Sequence, residues 1–189
     1  MTFTRNSLGQ ITSLNDHSLG YYYSNTFVNY SIGSDGEYIS VQITLTHGSS
    51  SSQYVDEYIY SGGWITQINR HLSDNNRWKI NYSYDDKGNV IRITKYNGSD
   101  SLMSSIEFVY DNKSNPVESV DDPYLLETIY LSGYNNPLAA KYNESDGTIT
   151  YVSHTYTYND IGKPITDITS LSYDSSFYYQ DQLTQYIYH

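Results

Sequence analysis

Apolar and aromatic residues recur at every second position in short runs, and each run ends in a cluster of Asn, Asp and Gly. Val41, Ile43 and Leu45 alternate with Gln42, Thr44 and Thr46, the pattern of a strand with one packed face. Tyr156 and Tyr158 alternate with threonines in the same way. Asn159-Asp160-Ile161-Gly162 then reads as a turn, in which Asn and Asp bond their own backbone and Gly accepts a positive φ. Ile165 and Ile168 carry the return strand, with the aliphatics expected on the packed face beside the tyrosines. This stretch predicts one complete β-hairpin.

The hairpin recurs. Copies are legible at Phe3–Leu14, Tyr58–Ile68, Trp78–Ile93 and Ile106–Val120, with a degenerate copy over Ile129–Leu138. Turn positions fall at Gly9, Gly36, Gly63, Gly88, Ser114, Asn135 and Gly162, at intervals of 27, 27, 25, 26, 21 and 27 residues. A two-stranded unit cannot bury its own face, so neighbouring units must share one layer. The prediction is an all-β fold: an antiparallel up-and-down meander of about a dozen strands. Sheets of that size curl, so a barrel or half-barrel is expected, as a single domain over residues 1–189. Asp121–Glu127 breaks the pattern, and Asp122-Pro123 predicts one helical turn there. The faces opposite the tyrosines carry Ser, Thr and Asn (Asn81, Ser83, Thr155, Thr157), so a wet outer surface is expected.

Composition narrows the function. The 24 tyrosines supply much of the 38% apolar share, which predicts a tyrosine-rich packed layer. Charged residues make up only 16%, against roughly 25% in typical domains. With a net charge of -11, and ten Lys and Arg scattered along the chain, nucleic acid is not an expected ligand. There is no cysteine, hence no disulfide and no thiolate metal site. No apolar run approaches the roughly 20 residues of a transmembrane helix. Met1–Arg5 shows no apolar signal-peptide core, so a leader would have been removed.

Tyr84-Asp85-Asp86-Lys87-Gly88-Asn89-Val90-Ile91-Arg92-Ile93 resembles the tyrosine-aspartate (YD) repeat of Rhs and teneurin proteins, as do Tyr110-Asp111 and Tyr158-Asn159 with their turns. In that family the repeats wind a β-sheet shell or an adhesive ectodomain. The chain is also similar, in repeat style, length and composition, to uncharacterised secreted lipoproteins of Bacteroidetes with a porin-like β fold. That resemblance implies a cell-envelope location, periplasmic or surface-anchored, or an extracellular one.

Catalytic chemistry finds little support in the residues. His17, His47, His71, His154 and His189 show no metal-ligand spacing. The acid pairs Asp56-Glu57, Asp85-Asp86 and Asp121-Asp122 read as turn and strand residues, and Asp35, Asp85, Asp86 and Asp146 lack an EF-hand spacing. No catalytic residue, metal or cofactor is expected. The aromatics that break the repeat are the candidate ligand-binding residues: Tyr21, Tyr22, Tyr23, Trp64, Tyr178 and Tyr179. Three consecutive tyrosines cannot share one strand face, and Trp64 follows a Gly-Gly turn. The expectation is a non-enzymatic envelope or extracellular protein that binds a glycan or another surface protein. The alternatives are a scaffold spacer with its tyrosines buried, and a polysaccharide hydrolase.

Overall fold

The structure is a computed structural model that describes residues 2–8, 10–16, 25–47, 49–74, 76–115, 134–173 and 177–186. Thirteen antiparallel strands follow one another in up-and-down order, as expected. They are β1 (Thr2–Arg5), β2 (Ile11–Asp16), β3 (Asn25–Ile32), β4 (Tyr38–His47), β5 (Ser50–Ser61), β6 (Trp64–Leu72) and β7 (Arg77–Tyr84). The series continues with β8 (Val90–Asn97), β9 (Leu102–Ser114), β10 (Asn135–Glu144), β11 (Ile149–Tyr158), β12 (Pro164–Tyr173) and β13 (Phe177–Gln185). The helical turn expected at Asp122-Pro123 lies outside the described residues. Contacts gather into two compact units, one of the described residues among 1–80 and 97–100, the other of those among 81–96, 101–115 and 134–186.

The repeat has a structural identity. In several turns the first residue's N–H reaches the carbonyl four residues on, among them Asn6 to Gln10, Asp85 to Asn89, Glu144 to Thr148 and Asn159 to Lys163. The glycine at position four bonds back to the first carbonyl, as Gly88 does to Asp85 and Gly162 to Asn159. Both glycines hold φ values (87° and 78°) that side chains disfavour. The first side chain completes the turn: Asn159 Oδ1 accepts from the N–H of Ile161 and of Lys163, and Asp85 Oδ1 from Lys87 and Asn89.

The return strands β4, β6, β10 and β12 each carry a bulge. Ile39, Thr66, Leu138 and Ile165 are extra residues with no partner across the ladder. A bulge shifts the in-out alternation by one residue. In β12 it puts Pro164 and Asp167 on the packed face and leaves Ile165 and Ile168 each 41% exposed. These two isoleucines were expected inside; Pro164 takes the packed position, which turns Ile165 outward, and the bulge then turns Ile168 outward as well. In β6 the same frame buries Ile65 and Ile68. The tyrosine pairs do lie in the packed layer: Tyr58 and Tyr82 are buried, and Tyr156 and Tyr158 half-buried with ring centroids 6.0 Å apart.

The fourth and fifth copies are one hairpin. β9 pairs with β10, with Ser114 opposite Asn135 and Tyr110 opposite Pro137. The return strand of Asp111's turn is therefore Asn136-Pro137-Leu138, not Asn115-Pro116-Val117. Asn115 N–H bonds the Tyr134 carbonyl at the base of the intervening segment.

The two units differ in their interiors. The first buries Val28, Val41, Ile43, Tyr58, Ile65, Ile68 and Ile80. Cross-strand neighbours link them in rows, Val28 to Ile43 to Tyr54 and Tyr30 to Val41 to Asp56. Each such aliphatic contributes about 1.5–3 kcal/mol by burial. The second mixes Tyr82, Val90, Phe108 and Ala140 with buried Asn89, Asn135, Asn136, Ser105 and Asp167. On its opposite face Ser83, Thr155 and Thr157 are exposed as expected, but Ile91, Val109, Leu138, Ile168 and Leu183 stand among them. That face is therefore a mixed surface rather than a uniformly polar one.

Candidate functional site

Strand parity builds a groove in the first unit. Asp56 and Tyr58 face the core, so Glu57 on the same strand faces the other way. Glu57 lies opposite Asn69, and His71 is one step further along β6. His71 Nε2 is 3.2 Å from Glu57 Oε2. Arg77, Trp78 and Lys79 at the start of β7 form a second wall, and the Asn97–Asp100 turn a third. Together they line a cavity of about 350 Å³. That is near the lower end of the roughly 300–1,000 Å³ usual for small-molecule sites.

The turn is held closely. Asn97 Oδ1 accepts from the N–H and the hydroxyl of Ser99, and Asp100 N–H bonds the Asn97 carbonyl. Asp100 is the one non-glycine residue with positive φ (59°) among the described residues, and its carboxylate accepts from Lys79 Nζ. Strained backbone of this kind gathers at functional sites. A Cβ on Gly98 would stand 3.4 Å from the Arg77 carbonyl oxygen, so turn and strand lie in van der Waals contact. Behind the wall, Arg70 forks onto buried Asp56, with Nε to Oδ1 at 2.8 Å and a terminal nitrogen to Oδ2 at 2.7 Å. Its guanidinium carbon sits 4.3 Å from the centre of the Tyr54 ring.

The groove carries both acidic and basic side chains. Glu57 and Asp100 both line it, as a hydrolase would require, but their side chains are 56% and 76% exposed and each faces a basic group.

A second cluster lies in the polar interior of the other unit. Asp111 accepts from Asn136 N–H and Nδ2, from Lys113 N–H and from the Tyr158 hydroxyl. Tyr156 lies directly across from Asp167, whose Oδ2 is 2.9 Å from His154 Nδ1. Burial first, then Asp167, raises the Tyr156 phenol well above its ordinary range. Burial, and then its bond to Asp111, does the same to Tyr158. Tyr158 is the donor of this pair, to Asp111, and Tyr156 packs its ring between those of His154 and Tyr158. No set of three His, Cys, Asp or Glu among the described residues could hold a metal.

Of the candidate aromatics, Trp64 opens β6 and is 40% exposed. It stands at the opposite end of β6 from His71 and does not line the groove. Tyr178 and Tyr179 lie on β13, across from Ser172 and Leu171, with side chains outside the description. Tyr21, Tyr22 and Tyr23 lie outside the described residues. Sequence reasoning missed the groove residues because they come from three strands and a turn, and no spacing along the chain links them. The one local signal was Asn97-Gly98, legible only as a turn.

No family model matches the chain, and no curated protein does. Among solved structures it is similar to a porin-like protein from Bacteroides vulgatus, at 17% identity and a TM-score of 0.53, over 98% of this chain and 92% of that one. A porin-like protein from Bacteroides uniformis aligns over 84% of this chain and 87% of that one, at 14% identity and a TM-score of 0.36. No helix among the described residues is long and apolar enough to cross a membrane. The likeness to the first of these structures shows the fold, an antiparallel all-β meander of the porin-like kind that the sequence resemblance implied.

Proposed function

We propose that this chain is a non-enzymatic cell-envelope or extracellular protein, built from hairpin repeats of the tyrosine-aspartate style, that binds an oligosaccharide in the groove of its first unit. The observation that carries this reading is the groove itself. Its polar walls offer donors and acceptors side by side (Asn69, His71, Arg77, Asn97 against Glu57 and Asp100), the complement of a ligand covered in hydroxyls. The envelope location rests on the porin-like fold of its Bacteroides neighbour.

The scaffold alternative needs the off-pattern aromatics buried, and the exposure of Trp64 weighs against it. A glycan array tests the binding reading. At least one oligosaccharide class is expected to bind, with Asn69→Ala and Glu57→Gln each weakening it about tenfold and Trp64→Ala leaving it unchanged. Silence across the array, or binding indifferent to both groove substitutions, would overturn it.

A further inference from the structure

We infer that the saccharide taken by this groove is acidic, and that Arg77 receives its carboxylate. The inference rests on the reading of the groove as a saccharide site and adds the chemical class of the ligand.

Charge accounting leads there. The protein carries a net charge of -11, with only ten Lys and Arg. Three of those ten, Arg70, Arg77 and Lys79, line this one groove. Two of the three are already matched: Arg70 is clamped by Asp56 behind the wall, and Lys79 is bonded to Asp100. The groove's histidine, His71, is matched in turn by Glu57. Arg77 is exposed and makes no ion pair among the described residues. The groove therefore presents one guanidinium whose donors remain available, in a molecule that otherwise repels anions.

A guanidinium binds a carboxylate through two parallel N–H···O bonds, which fixes orientation as well as sign. The backbone that carries Arg77 is held by the neighbouring turn. Gly98 packs against the Arg77 backbone, and the positive-φ turn at Asp100 is tied to Lys79, two residues along the same strand. Glu57 and Asp100 remain as acceptors for the hydroxyls of the same sugar. Their presence also disfavours a ligand that is anionic over its whole length, because like charges would face each other. One carboxylate on a hydroxyl-rich ring satisfies both conditions.

The test compares oligosaccharides ending in galacturonate, glucuronate or sialate with their methyl esters, by calorimetry on the full chain. The ester keeps the skeleton and removes the charge. At least one acid is expected to bind tenfold or more tightly than its ester, with a salt dependence the ester lacks. Arg77→Gln is expected to abolish that difference, the acid losing at least tenfold more affinity than the ester, and Arg77→Lys to restore part of it. Equal binding of acid and ester, or equal loss of both in Arg77→Gln, overturns the inference. If neutral glycans bind at the groove and none of the acids does, the acidic class fails while the groove reading survives. If no saccharide of either kind binds, both fail together.

Discussion

Asn136 completes the turn that Asp111 begins. Its N–H and its Nδ2 donate to Asp111 Oδ1 and Oδ2, both at 3.0 Å, from twenty-five residues away. Asn89 makes the same two bonds to Asp85 from only four residues away. One turn chemistry thus spans both a tight hairpin and a hairpin opened by a long intervening segment. Asn136 is 1% exposed, and replacing it by alanine keeps its backbone donor but leaves the half-buried Asp111 carboxylate without the Nδ2 bond. Asn136→Ala is expected to cost about 2–3 kcal/mol in urea unfolding. Asn112→Ala, at an exposed position of the same turn, should stay within about 0.5 kcal/mol. Equal midpoints for the two variants would mean that the Asn136 bonds contribute nothing.

The Asp56–Arg70 pair lies among aliphatics, beside Val41. Arg70→Ala strands a buried carboxylate and should destabilise by about 3–5 kcal/mol. The double variant Asp56→Leu with Arg70→Met removes both charges and should recover most of that loss. A double variant as unstable as the single one would show that packing, not the orphaned charge, sets the cost.

Ile68 and Ile168 occupy the same position of the written repeat. Both strands carry the bulge, but Ile68 is the second residue beyond it and Ile168 the third, so the first is 1% exposed and the second 41%. Ile68→Ala should cost about 2–5 kcal/mol and Ile168→Ala less than about 1 kcal/mol. Similar costs at the two sites would contradict the frame shift.

Stability should fall at both ends of the pH scale. Burial, and then Glu37, pushes the Tyr60 phenol up to about 12. A raised folded value means that its contribution is complete below the unfolded value of about 10 and is lost as pH rises from there towards 12. Desolvation pushes the Asp85 carboxyl up, but the side-chain and backbone bonds from Asn89, with that from Lys87, outweigh it and hold it below the ordinary value. Its contribution is present above about pH 4 and is lost as pH falls through the lowered folded value. Urea midpoints across pH should show Tyr60→Phe flattening the alkaline limb and Asp85→Asn the acid limb. Limbs unchanged in both variants would place the pH dependence elsewhere.

The hairpin repeat was legible because its turn is local. Asn159, Gly162 and their bonds all lie within five residues, and side chains alternate on either side. What escaped was set by ladder geometry. The bulge at Ile165 leaves no composition signal, yet it decides which isoleucines are buried. The merger of two apparent copies into β9 and β10 needed Asn136 to be preferred to Asn115, two residues with the same neighbouring proline in sequence. The groove was invisible for a related reason. Glu57, His71, Arg77 and Asp100 meet only once the strands are in register, whereas Trp64 caught the eye as an isolated aromatic.

Titrating the isotope-labelled chain with the best array hit, and following its backbone amides by nuclear magnetic resonance, addresses the groove directly. The expected result is a set of saturable shifts confined to Asn69, His71, Arg77, Lys79, Asn97 and Gly98. Shifts centred on Trp64 and absent from those residues would contradict it.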